Sequence, residues 1–329
     1  MTVGHSGDIS VRPDSADWMR PLGFTGLSVS AVTAGGGPLG SMPENFGYEV
    51  AEADAVALVL DILASPIRTI DTSNGYSDGA SERRIGVGIA AFGGLPDDAL
   101  VITKVDARNG DYSGERVRAS VAESIQRLGV APLPMVHLHD PEFHDFDALT
   151  APGGAVDTLV RLREEGVVGH IGLAGGDVHE MARYLELGVF EALLVHNRLT
   201  LVDHSAQQLV HNARERGVAI VNAAIYGGGI LANPRGGLTS YGYRPARPAT
   251  LAAIAAMDEL AARHGTDLAT VALQASLRDP LIDTTVVGFS KPERIDAIVR
   301  STRVELPDDF WAELGSLRPS PDNWLDTRN

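Results

Sequence analysis

Short apolar runs alternate with longer amphipathic stretches along almost the whole of this 329-residue chain. The runs are Val29–Thr33, Arg68–Asp71, Leu100–Val105, Met135–His139, Val168–Leu173, Ala192–Val195, Ala219–Ala223 and Thr284–Val287. Their brevity and their β-branched content predict strands. Between them, apolar residues recur at helical spacing over Val50–Leu63, Ser81–Ala91, Ser113–Leu128, Ala155–Glu165, Val178–Leu187 and Ser205–Arg216. A pair at Thr250–His264 and Asp267–Ser276, and then Pro292–Val299, complete the series. Ser113 is placed to cap its helix, and Pro292 opens the last of these. Strict alternation of the two element types implies parallel strands joined by crossover helices. Eight such units close on themselves, so the expected fold is α/β, a (β/α)8 or TIM barrel.

Other segments stand outside the repeat. Pro21–Ser30 reads as a short N-terminal β-hairpin, and Tyr226–Arg247 as an extended glycine-rich loop after the seventh strand. Extra helices are expected before strand eight and at the C-terminus. No linker or compositional break divides the chain, which predicts one domain over residues 1–329 with 1–19 as a flexible extension.

Composition narrows the chemistry. There is no cysteine, which removes disulfides, thiolate nucleophiles and Cys-ligated metals from consideration. The formal net charge is −16, and no run of basic residues exceeds a pair, so no nucleic-acid partner is expected. An anionic cofactor would have to be held by local donors against that field. The first residues lack the basic and apolar regions of a signal peptide, and no apolar stretch is long enough for a membrane span. A cytoplasmic protein acting on a small molecule is the expectation.

Barrels of this kind place their chemistry at the carboxyl ends of the strands. The polar residues there are Asp71, Lys104, His139 with Asp140, His196 with Asn197, and Asn222, while Tyr76 lies in the loop five residues past Asp71. A phenol titrates near pH 10, and a neighbouring ammonium lowers that value. A carboxylate can hold the ammonium in place, and an imidazole can donate to a developing oxyanion. The four side chains make a proton-transfer site for carbonyl and alcohol interconversion, with the hydride left to an external carrier.

The segments D71-T-S-N-G-Y76-S-D-G-A-S81-E82-R-R-I-G86, T103-K104, H-L-H139-D-P141 and V-G288-F-S-K-P-E-R294-I resemble aldo-keto reductases. So does P-L-G23-F-T-G26-L-S-V-S with G-G-G-P-L-G40 behind it, and the likeness runs in order from about Arg20 to about Ser301. It implies Asp71, Tyr76, Lys104 and His139 as the catalytic tetrad, with Tyr76 as general acid in reduction and base in oxidation. It implies NAD or NADP as cofactor, bound by Gly35, Gly36, Asp71, Ala174, Gly175, His196, Asn222, Tyr226, Gly227, Gly228, Gly288, Ser290, Lys291 and Arg294. The segments N-R198-L-T-L-V-D and N222-A-A-I-Y-G-G-G-I-L resemble the branch of D-threo-aldose, L-fucose and L-galactose dehydrogenases and pyridoxal dehydrogenases.

Four residues depart from the wider family. Ala174-Gly175 stands where a Ser-Asn pair holds the nicotinamide carboxamide, His196 replaces a Gln, and Ala223 replaces the Tyr that stacks on the nicotinamide. His196 or Asn222 would then have to hold the carboxamide. NADP-selective members carry Lys-Ser where this chain has Gly288-Phe289, which tilts the reading to NAD, while Lys291 and Arg294 keep dual use open. Two other readings stand beside this one. His137 and His139 share a strand face and could be the metal pair of a barrel hydrolase. The chain could also be a cofactor-binding regulatory subunit without turnover.

Overall fold

The computed structural model describes residues 11–43 and 47–327. Eight parallel strands close into a barrel: β3 (Val32–Gly35), β4 (Thr69–Asp71), β5 (Leu100–Val105), β6 (Leu133–His139), β7 (Val168–Gly175), β8 (Ala192–His196), β9 (Ala219–Ala223) and β12 (Thr284–Gly288). β12 pairs with both β9 and β3, which completes the ring. Alternate residues fill the interior: Leu100 and Ile102, Met135, Ala174, Leu194 and Val221 form one buried cluster. The opposite strand faces pack under the helices, as period-two alternation requires.

The hairpin of β1 (Met19–Pro21) and β2 (Ser28–Ser30) plugs the amino-terminal end of the barrel. Leu22 and Val29 are fully buried among the interior residues. Gly23, at φ 54, lets this plug approach: a Cβ there would lie 2.9 Å from that of Ala219. The run Val29–Thr33 is therefore not a single barrel strand. Its first part belongs to the plug, and the barrel strand begins at Val32, because the chain turns at Ala31, whose N–H donates to Trp18 O. The plug fills the amino-terminal end, and the cavity of the barrel opens at the carboxyl end.

Capping follows the sequence. Ser113 Oγ accepts from Arg116 N at 3.2 Å, and Asp267 Oδ1 from Thr270 N at 2.7 Å. The paired helices before strand eight are Pro248–Arg263 and Leu268–Leu277, and a C-terminal helix spans Asp308–Ser316. The long connection after β9 is not featureless. It holds a turn of 3-10 helix at Gly227–Gly229 and a small hairpin of β10 (Ser240–Tyr241) and β11 (Arg244–Pro245).

A flexible segment up to residue 19 does not hold where the chain is described. Val11 and Trp18 are buried in the main core, and Trp18 Nε1 donates to Pro66 O at 2.8 Å. Residues 1–10 lie outside the described residues. Among the described residues no helix is long and apolar enough to cross a membrane.

Candidate active site

At the carboxyl end, the strands open on a cavity of about 510 Å³. Asp71, Tyr76, Lys104 and His139 all line it, although they come from three strands and a loop. Lys104 points inward from β5 with its side chain 1% exposed, and its three N–H bonds are all directed. Nζ donates to Asp71 Oδ1 at 2.6 Å, to Thr72 O at 2.8 Å and to Tyr76 OH at 3.3 Å. Burial works to lower the lysine value, but Asp71 and Tyr76 together raise it, so the ammonium is permanent.

Because an ammonium only donates, the Tyr76 oxygen is the acceptor, and its own hydrogen is free for another oxygen. The expectation that Lys104 lowers the phenol holds only in part. Burial raises Tyr76 further than Lys104 lowers it, and Asp71 and Asp140 add to the rise. The resting phenol is protonated.

His139 closes the other side, edge-on to Tyr76 with ring centroids 5.7 Å apart. Its Nδ1 lies 2.6 Å from Asp106 Oδ1, and its Nε2 3.8 Å from Asp140 Oδ1. Asp140 takes left-handed backbone angles at φ 44 and lies 3.7 Å from His196 Nε2. Burial would lower His139 and raise both carboxylates. The charge attraction outweighs it, raising the imidazole and lowering Asp106 and Asp140.

Asp106 was not among the residues singled out from sequence. It follows Lys104 by two positions, so strand alternation puts it on the same face one step nearer the open end, and that spacing is a usable signal. Its Oδ2 also accepts from Gly75 N at 2.7 Å and from Ser73 Oγ. Met42, Tyr243 and Val286, likewise not singled out, line the same cavity.

Of the residues expected at the cofactor, Gly35, Gly36, Asp71, His196, Tyr226 and Gly288 line this cavity. Arg294 reaches its edge, where Nε donates to Gly288 O at 2.9 Å and the guanidinium lies 5.4 Å from the Tyr226 ring centroid. Among the described residues no carboxylate lies within ion-pair distance of Arg294. Gly228, at φ 79, is exposed with open space around its Cα. Ser290 and Lys291 occupy the turn after β12 and do not line the cavity.

Four expected residues are placed elsewhere. Asn222 alternates outward from β9: Nδ2 donates to Leu199 O and Ser276 Oγ, both at 2.9 Å, and the residue borders a separate cavity outside the barrel. Ala174 points into the packed interior below the site. Gly175 is closed off, since a Cβ there would lie 2.6 Å from Glu142 Oε2 and 2.7 Å from Met181 Sδ. Gly227 is buried under the Tyr241 ring.

The proposed His-x-His pair shares a face, but the two rings do different things. His137 is fully buried against Gly172, and burial lowers it to about 3. His139 has Nδ1 taken by Asp106.

A closed parallel barrel with an Asp, Lys, Tyr and His constellation at its carboxyl end defines a class of carbonyl and alcohol oxidoreductases. The aldo/keto reductase family model matches residues 34–319, and the chain belongs to that family. It is thus an oxidoreductase acting on alcohol and carbonyl groups, of a family that uses NAD(P)H.

Pyridoxal 4-dehydrogenase of Microbacterium luteolum is 30% identical, over 90% of this chain and 96% of its own length. L-galactose dehydrogenase of Arabidopsis thaliana is 32% identical, over 84% of this chain and 86% of its own. These are relatives of the branch that the Asn197 and Asn222 segments resemble. A glycerol dehydrogenase structure from Gluconobacter oxydans shares the fold with a TM-score of 0.74 at 18% identity, covering 96% of this chain and 100% of that one.

Proposed function

We propose that the chain interconverts an alcohol or sugar hemiacetal and its carbonyl, with Tyr76 as the acid and base. The observation that carries this is the set of bonds at Lys104 Nζ, which engages Asp71 and the Tyr76 oxygen at once. In reduction the Tyr76 hydrogen passes to the carbonyl oxygen as negative charge develops there, and Lys104 stabilises the phenolate left behind. His139 donates from Nε2 to the same oxygen. In oxidation the phenolate takes the hydroxyl proton.

A bound nicotinamide dinucleotide supplies or accepts the hydride. The residues fit such a group at the β12 side, where Arg294 faces no carboxylate among the described residues and Gly35, Gly36 and Gly288 leave the wall without side chains. Of His196 and Asn222, only His196 lines the cavity, and it would hold the carboxamide. Lys291 and Arg294 would meet the adenosine end, and the absence of a Lys-Ser pair at 288–289 favours NAD over NADP.

The substrate class follows from charge. The cavity is lined by Asp71, Asp106 and Asp140, with Lys104 already paired to Asp71 and His139 to Asp106. Such a mouth favours uncharged polyols or a pyridoxal-like ring over phosphorylated or carboxylated substrates.

The test is absorbance at 340 nm with NAD and NADP over a panel of aldoses, simple alcohols and pyridoxal. Tyr76→Phe should lose about 10²–10⁴ in kcat with cofactor binding unchanged. Retention of more than a tenth of the activity would sink this assignment. Cofactor binding with no turnover on any substrate would favour the regulatory reading.

A further inference from the structure

The reaction written above leaves Asp106, a half-buried carboxylate of the site, unused. Asp106 sits one residue past β5 and is held from two sides, by Gly75 N at 2.7 Å and by Ser73 Oγ, both on Oδ2. Oδ1 is left for His139 Nδ1 at 2.6 Å, and Ser73 Oγ lies 3.3 Å from the same nitrogen. A glycine at 75 is what allows this closeness, because a Cβ there would lie 2.8 Å from Asp106 Cγ. Tyr112 fixes the backbone behind the ring: its hydroxyl accepts from His139 N at 2.9 Å and lies 3.0 Å from His139 O.

An ionised carboxylate only accepts, so the bond at 2.6 Å commits a ring proton to Nδ1. A neutral imidazole has no second proton, and its Nε2 would then present a lone pair to the cavity. A lone pair repels a carbonyl oxygen and cannot stabilise an oxyanion. For Nε2 to donate to the substrate oxygen, the ring must carry both protons.

We propose that Asp106 is a positioning residue that holds His139 as an imidazolium, with Nδ1–H on Asp106 and Nε2–H directed at the substrate oxygen. The two carboxylates facing the ring outweigh the one opposing charge. Asp106 from the end of β5 and Asp140 next along the chain favour the charged ring, with His196 of β8 beyond Asp140. Lys104 of β5 opposes it, and Tyr76 and Ser73 from the loop after β4 are neutral. His137 beneath is uncharged at neutral pH.

This inference rests on the oxidoreductase reading for its catalytic consequence but not for its structural one, and the two are read separately. Ring-nitrogen NMR of 15N-histidine protein reports protonation at each nitrogen, and loss of one of ten histidine signal sets in His139→Gln assigns the ring. Both His139 nitrogens should be protonated at neutral pH, titrating above the ordinary value of about 6.5. In Asp106→Asn that titration should fall by about one unit or more. A neutral Nε2–H ring in the wild type, or the same titration in Asp106→Asn, would overturn the proposal whatever the turnover.

In carbonyl reduction, the alkaline limb of kcat/KM should move down with the ring in Asp106→Asn. The loss at pH 7.5 should be about tenfold, with cofactor Kd unchanged and partial rescue in Asp106→Glu. A pH-independent loss of activity would mark Asp106 as merely structural.

Discussion

Replacing Lys104 by methionine tests the centre of the site, because it separates stability from chemistry. The Lys104 side chain is 1% exposed and that of Asp71 6%, with 2.6 Å between their charged atoms. At an effective dielectric constant of about 20, their attraction is about 6 kcal/mol. Withdrawing two ions from water costs several kcal/mol each, so the intact pair contributes little net stability.

Removing one partner leaves the other buried and uncompensated, which costs about 3–5 kcal/mol. Lys104→Met should therefore lower the urea-unfolding free energy by that amount, and Asp71→Leu/Lys104→Met should recover most of it. Activity should not follow. Tyr76 loses the donor on its oxygen in both variants, and kcat should fall by about 10²-fold or more in each. A single variant as stable as wild type, or a double variant within tenfold of wild-type kcat, would refute the buried-pair account.

Two further substitutions probe the surroundings of the site. His137 titrates near 6.5 in an unfolded chain and at about 3 in the fold, so as pH falls the unfolded state takes up the proton first. Its contribution is present above the unfolded value and declines by about 1.4 kcal/mol per pH unit below it, down to the folded value. The stability difference between wild type and His137→Met should shift by about 2 kcal/mol between pH 7 and pH 5 in urea unfolding, and parallel curves would contradict this.

Asp326 anchors the C-terminal tail by accepting from Arg198 Nε at 3.0 Å and Nη2 at 3.1 Å, with both side chains nearly buried. The neighbouring Leu325 side chain packs at Gly242, beside the cavity-lining Tyr243. Asp326→Ala should cost about 3–5 kcal/mol in unfolding and raise KM more than it lowers kcat. An equal fall in kcat with KM unchanged would place the tail's influence on the chemical step.

The barrel was legible in the sequence because period-two and helical patterns report which face is buried, and closure needs only the count of units. Leu100–Val105 and Ala219–Ala223 match their strands to the residue. Val29–Thr33 misled because apolar character is the same in the plug and in the wall, and only hydrogen bonding at Ala31 separates them. Asn222 failed for a related reason. Position at a strand end is visible in the sequence, but which way the side chain alternates depends on register: Ala223, not Asn222, pairs with His196 and faces the mouth. Asp106 shows the converse, since its offset from Lys104 predicts its face while its partner, His139, comes from another strand.

The two carboxylate–cation pairs flanking Tyr76 differ in burial, and that difference divides their roles. Asp71 and Lys104 are 6% and 1% exposed, and Asp71 and Tyr76 keep the lysine charged across the working range. Asp106 and His139 are 19% and 13% exposed at the rim, where the partner is an imidazole whose ordinary value lies near neutrality. The pH dependence of turnover should therefore trace to the rim pair, whereas Lys104 stays charged over that whole range. On the same ground, Asp106→Asn and Lys104→Met should combine non-additively in kcat, because both act on one proton transfer through Tyr76 and the substrate oxygen. A fully additive double variant would mean that the two pairs work on separate steps.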